Sequence, residues 1–179
     1  QQDKWQYWQA RALAATDQQV RANQLFDRVA KERSIYGFLA ADHVGMAIDW
    51  RDKPLVIDSH DLALLQARDE FQAFAELKAL QRVTEAKRQW RYVISHLPVH
   101  ELTLAAKLAQ YWQAPALAIS TMAKAGAWDD LDLRYPLHHL DAVERQAQQQ
   151  HVEPAVILGL IRQESAFDDT AESSFGAKG

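Results

Sequence analysis

The sequence contains no cysteine, which excludes disulfides and thiolate-bound metals and suits a bacterial cytoplasmic or periplasmic protein equally. Glycine and proline are scarce, with 6 and 5 among 179 residues, so few positions break a helix. An excess of positive charge is also missing. A net charge of −4 and a pI near 6.0 leave no basic footprint for nucleic acid. No apolar run reaches the length that crosses a bilayer. The opening Gln1-Gln2-Asp3-Lys4 lacks both a starting Met and an apolar signal core. The pattern begins in mid-stride, and the chain is read as processed or truncated.

What remains is helical. Hydrophobic residues make up 48% and charged residues 25%, ordinary values for a globular protein with one substantial core or two small ones. Apolar residues recur every three or four positions, with no sustained period of two. Helices are expected over 4–15, 18–33 and 34–44, the second capped by Thr16-Asp17 and the third ending near Gly45. Together they match the length of a tetratricopeptide-like repeat unit. Residues 49–58, interrupted by Pro54, read as a linker. Further helices follow over 59–67, 70–80, 83–97, 101–112 and 115–125. Asp69-Glu70 suits a helix start, Pro115 a first turn and Gly126 a left-handed end.

Residues 128–140 lose the repeat, and Tyr135-Pro136 reads as an extended connection. Asp141 and Glu144 then have capping-box spacing, opening a helix to about 150. The last helix, 154–165, places Ile157, Leu160, Ile161 and Glu164 on one stripe. A carboxyl group closing an apolar stripe is expected to be shielded from water, a setting that favours its proton-donating form. Periodicity alone favours a plainer reading, in which Glu164 is solvated or paired with Arg162.

The run from Ala155 through Arg162-Gln163-Glu164-Ser165-Ala166-Phe167-Asp168, followed by Ser173-Ser174-Phe175-Gly176-Ala177-Lys178-Gly179, resembles the opening of the catalytic domain of the soluble lytic transglycosylases. That family has a helix ending in Glu-Ser, a short loop, and Ser-x-x-Gly-Ala-x-Gly. The stretch Gly126-Ala127-Trp128 to Tyr135-Pro136 resembles the family's join between scaffold and catalytic domain. Tyr7-Trp8-Gln9-Ala10-Arg11-Ala12 and Tyr36-Gly37-Phe38-Leu39 resemble its helical repeats.

The resemblance implies an all-α fold. Residues 1–48 would end an α-superhelical ring, 49–133 would form a helical linker domain, and 134–179 would begin a lysozyme-like domain. It implies cleavage of the β-1,4 bond between N-acetylmuramic acid and N-acetylglucosamine in peptidoglycan, leaving 1,6-anhydro ends. Glu164 would be the single acid/base, in place of the usual two carboxylates. Ser173 would orient Glu164 or the sugar, and Gly176 and Gly179 would let the backbone approach it. No cofactor or metal is implied. Glycan strands would be the substrate, cell-wall synthesis proteins are candidate partners, and the periplasm is the implied compartment. The family's glycan groove continues past this motif, so the 179 residues alone are expected to be inactive or nearly so.

Several alternatives stay open. Asp168 and Asp169 suggest a second carboxylate, although Phe167-Asp168-Asp169-Thr170 reads better as a loop. His100-Glu101 starts like a zinc-peptidase motif, but Leu104 stands where its second histidine must be. His138 and His139 are adjacent and suit a connector rather than a metal site. The six tryptophans read as packing between repeats before sugar stacking. A non-catalytic solenoid binding protein or glycan, and a muramidase delivering water to the same bond, remain competing functions.

Overall fold

A computed structural model describes residues 2–178, so Gly179 and its expected role lie outside the described residues. The fold is all-α, built from packed helix pairs. Among the described residues the only β feature is an isolated antiparallel bridge between Glu172 and Lys178. The chain divides into two compact units, residues 1–51 and 52–179.

The first unit holds α1 (Gln2–Ala15), α2 (Gln19–Val29) and α3 (Ile35–Val44). Its core is narrow and alanine-rich, with Ala10, Ala22, Ala40 and Ala41 buried around Tyr7, Phe26 and Val29. Small side chains let the helices approach closely. At Gly37 an added Cβ would lie 1.8 Å from the Glu32 carbonyl oxygen, so only glycine fits there. The Ser34 hydroxyl caps α3 by accepting the Gly37 amide at 3.1 Å, and it donates to Asp3. Gly45 ends α3 in the left-handed region (φ 67°). The expected cap on α2 does not form. Asp17 itself adopts a left-handed conformation, Gln18 occupies the cap position, and no side chain bonds the orphan amides.

Residues 46–58 have no regular secondary structure. The second unit follows with α4 (Ser59–Gln66), α5 (Asp69–Ala79), α6 (Val83–His96), α7 (Val99–Tyr111), α8 (Pro115–Ala125), α9 (Leu131–Arg134), α10 (Leu140–Gln150) and α11 (Pro154–Glu164). Helix α5 pairs with α6 and α7 with α8, enclosing a core around Leu65, Phe71, Phe74, Trp90, Leu102, Leu108 and Met122. Trp90 is fully buried, and its Nε1 donates to Thr121 Oγ1 at 2.9 Å, which satisfies both polar atoms. Trp112 stacks on Phe74.

The tryptophans therefore behave unequally. Trp90 and Trp112 pack as expected, whereas Trp5 is 70% exposed and Trp8, Trp50 and Trp128 also face solvent. Trp5 and Trp8 lie on α1, whereas Trp50 and Trp128 lie outside helices, where Trp50 meets Phe38 and Trp128 meets the Arg134 guanidinium on one side only.

Asp130 organises the second unit's later half. It caps α9 by accepting the Leu133 amide at 2.9 Å, and it also accepts the Leu55 amide at 2.8 Å and Lys107 Nζ at 2.7 Å. One side chain thus ties the stretch before α4 to α7 and α9. Beside it, Lys53 N donates to the Asp129 carbonyl and Leu131 N to Asp52. The expected capping box at Asp141 and Glu144 is absent. Helix α10 starts two residues earlier, at Leu140, because His139 takes the left-handed cap position and leaves Asp141 inside the first turn.

Candidate active site

Helix α11 starts cleanly. Glu153 is extended at the cap position and Pro154 takes the first turn, where its missing N–H costs no hydrogen bond. Glu164 is its last residue, and the chain then turns sharply. Ser165 caps the helix, its amide donating to Ile161 O at 3.0 Å, and Ala166 N follows to Arg162 O at 3.2 Å. Ala166 (φ 52°) and Phe167 (φ 63°) are both left-handed. For residues with a Cβ this costs about 1–2 kcal/mol each. Phe167 is only 8% exposed, and burying a phenylalanine returns a similar amount, about 1.5–3 kcal/mol.

Glu164 itself is exposed, and no residue of α11 is buried. The stripe has the expected phase, but Leu160 is 61% exposed, and Ile157 and Ile161 are only half-buried. The anticipated apolar shield around the carboxylate is therefore not assembled by these residues. Phase places a stripe on one face of a helix, but shielding needs a partner surface against that face. Nor does Glu164 pair with Arg162. Among the described residues its carboxylate has no hydrogen-bond or ion-pair partner. Arg162 turns away, and its Nε donates to the Arg134 carbonyl at 2.9 Å, with burial pushing its guanidinium pKa down.

Asp168 and Asp169 lie in a loop, as their context suggests, and Asp168 is heavily engaged. Lys87 Nζ on α6 lies 2.5 Å from Asp168 Oδ2 and equally close to Thr170 Oγ1. The Thr170 amide and hydroxyl both donate to Asp168 Oδ1, at 3.1 and 2.7 Å. Burial opposes ionisation of Asp168, but these donors outweigh it and hold the carboxyl below the usual carboxylate range. A carboxylate kept ionised by three donors is poorly suited to act as a proton donor.

Under this loop lies a cleft of about 620 Å³ lined by Phe74, Lys78, Lys87, His138, Phe167 and Asp168, among others. Glu164 is not among its lining residues. Burial pushes the His138 and Lys78 pKa values down. Lys78 donates to the Trp112 and Gln113 carbonyls that end α7.

Ser173 and Gly176 form their own turn. Ser173 Oγ accepts the amides of Phe175 (3.3 Å) and Ala177 (3.0 Å), and the Gly176 amide donates to Ser173 O at 2.9 Å. Gly176 needs its glycine because φ is 81°. Ser173 and Gly176 are brought together, while the Ser173 hydroxyl is taken by this loop and not by Glu164. Lys87 went unrecognised as part of the site. It lies 81 residues from Asp168 and reads locally as one more helical cation.

Comparison with known proteins agrees with the residue pattern. Residues 64–131 match the family profile described as the soluble lytic murein transglycosylase L domain. Over 184 aligned residues the chain is 27% identical to the soluble lytic murein transglycosylase of Escherichia coli K12, covering all of this chain and 27% of that protein. It superimposes with a TM-score of 0.86 and 32% identity on an inactive Glu-to-Gln mutant of the lytic transglycosylase Slt from Pseudomonas aeruginosa, covering 99% of this chain and 29% of that one. The 70-kDa soluble lytic transglycosylase in complex with bulgecin A shares the fold at a TM-score of 0.85 and 24% identity, covering 99% of this chain and 28% of that one. The chain thus spans under a third of the length of these relatives. With its helix pairs, its profile match and its Glu-Ser helix end, the chain belongs to the soluble lytic transglycosylase family.

Proposed function

We propose that this chain is part of a lytic transglycosylase in which Glu164 is the sole acid/base. The observation that carries the reading is the position of Glu164, an unpaired, accessible carboxylate at the end of a helix whose exit turn is anchored on both sides. Glu164 donates its proton to the bridging oxygen between N-acetylmuramic acid and N-acetylglucosamine as that bond breaks. It then accepts the proton of the muramoyl C6 hydroxyl, whose oxygen bonds to the anomeric carbon and closes the 1,6-anhydro ring. The internal hydroxyl replaces water, so no second carboxylate is needed to activate a nucleophile. The commitment of Asp168 to Lys87 and Thr170 supports a one-carboxylate mechanism over hydrolysis. The relative described as an inactive Glu-to-Gln mutant supports an essential glutamate.

Residues 1–48, 49–133 and 134–179 are assigned to the ring end, the linker domain and the start of the lysozyme-like domain. Ser173 and Gly176 shape a loop beside the glycan. The substrate places the protein in the periplasm, and no helix among the described residues is long and apolar enough to cross a membrane. Because no residue of α11 is fully buried and Glu164 is exposed, the 179 residues by themselves give Glu164 no dry setting, and slow turnover of peptidoglycan is expected of them alone.

Mass analysis of sacculi digested by the full natural polypeptide tests this. Anhydro-muramoyl ends are expected; reducing ends would make it a muramidase, and intact sacculi would favour a binding solenoid. Glu164→Gln removes the acid while keeping shape, and turnover should fall by about 10²–10⁴-fold.

A further inference from the structure

We propose that Lys87 is a positioning residue for the catalytic helix end, acting through Asp168 to hold the turn that follows Glu164. This inference rests on the assignment of Glu164 as the acid/base.

Helix α11 packs against α10, but none of its residues is fully buried, so packing alone fixes its end weakly. Its last turn is placed by contacts made around it. Arg162 bonds the Arg134 carbonyl at the end of α9, and Phe167 is inserted beside the His138 ring at a centroid distance of 6.4 Å. Lys87 on α6 grips Asp168 and Thr170. Only three residues separate Glu164 from Asp168, and two of them are held in left-handed conformations that side chains disfavour. A strained turn persists only where its surroundings determine it. Without Lys87, Asp168 keeps only the local Thr170 donors, and the turn has lost its polar tie to α6.

An exposed ion pair would contribute little. This one is different, because the two side chains are only 26% and 20% exposed and Lys87 bridges two acceptors. The pair therefore has the shielding and the geometry to define a position. Its effect should fall on the placement of the carboxylate and not on sugar affinity, because neither Lys87 nor Asp168 needs to touch the glycan.

The experiment uses the full natural polypeptide. In Lys87→Ala, kcat on peptidoglycan should fall by about 10-fold with KM changed less than about 2-fold, since small misplacements of a reacting group cost rate. Lys87→Arg should restore most of it. Asp168→Asn should reproduce the loss, and Lys87→Ala with Asp168→Asn should be no worse than either alone. Amide hydrogen exchange over 165–171 should quicken in Lys87→Ala, with the core amides of α6 unchanged. Lys87→Gln keeps the stem and serves if the alanine variant folds poorly.

Wild-type kcat in Lys87→Ala, or unchanged exchange over 165–171, would overturn the proposal. The two readings fail separately. If Glu164→Gln keeps full turnover, the acid/base assignment falls while exchange still reports the clamp. If Glu164→Gln is dead and Lys87→Ala is fully active, only the positioning role falls.

Discussion

Lys107 Nζ lies 2.7 Å from Asp130 Oδ2, and the Asp130 side chain is completely removed from solvent while Lys107 stays 18% exposed. Two backbone amides, from Leu55 and Leu133, complete the carboxylate's shell. Removing the carboxylate leaves a poorly solvated ammonium and two orphaned amides. Asp130→Ala should therefore lower unfolding stability by about 3 kcal/mol, read from urea denaturation. A change under about 0.5 kcal/mol would show that the hub is dispensable.

The same group sets a pH dependence. Burial pushes the Asp130 carboxyl up, but the Lys107 ammonium and the two amides outweigh it, so its folded pKa lies below the usual range. A depressed folded pKa gives stability that is fully present above the unfolded value, near about 4, and is lost as pH falls through the folded one. Asp168 acts in the same direction. Acid unfolding of the wild type should steepen below about pH 4, and Asp130→Asn should flatten that limb. Identical acid limbs in the two proteins would refute the linkage.

The buried Trp90–Thr121 hydrogen bond offers a second stability test. Thr121→Val keeps the shape but leaves the indole N–H unpaired in the core, at a cost of about 1–3 kcal/mol. Trp90→Phe with Thr121→Val removes both polar partners. In a double-mutant cycle its loss should be smaller than the sum of the single losses. Strict additivity would mean the bond contributes nothing specific.

Much of this architecture was legible where the signal is local. Pro115 and Gly126 bracket α8 as their backbone chemistry requires, and Pro154 opens α11. Local signals failed where neighbours compete. Asp141 and Glu144 have capping-box spacing, yet His139 takes the cap position two residues earlier. The four-residue α9 is too short to show a period, and its cap, Asp130, is recognisable only once Leu55 and Lys107 are beside it. Around Glu164 the stripe predicts which residues share a face but not whether anything covers that face. Lys87 meets Asp168 only after folding, and no spacing rule spans that separation.

In the first unit, Gly37 is the tightest point. An alanine Cβ there would lie 1.8 Å from Glu32 O and 3.1 Å from Val29 O, both rigid backbone atoms. The clash can be relieved only by lifting α3 away from the end of α2, against a core of small residues that tolerates little displacement. Gly37→Ala should cost about 3 kcal/mol. Hydrogen exchange should quicken across α3 while the amides around Trp90 keep their protection. Undisturbed α3 amides would show that the helix ends slide freely.

The loop of Ser173 and Gly176 separates two roles that the Glu-Ser and Gly-Ala-x-Gly pattern leaves joined. Ser173 Oγ already accepts the amides of Phe175 and Ala177, so its first effect is to close this turn. Gly176 closes the same turn through its left-handed backbone (φ 81°), where an alanine would be strained by about 1–2 kcal/mol. If Ser173 acts by shaping the loop, Ser173→Ala and Gly176→Ala should give matching phenotypes in the full natural polypeptide. Exchange at the Phe175 and Ala177 amides should rise in both, turnover should fall in both, and Ser173→Thr should be close to wild type because the acceptor oxygen is kept. A direct grip on sugar or on Glu164 predicts otherwise. In that case Ser173→Ala loses turnover with the loop amides still protected, and Gly176→Ala does not mimic it.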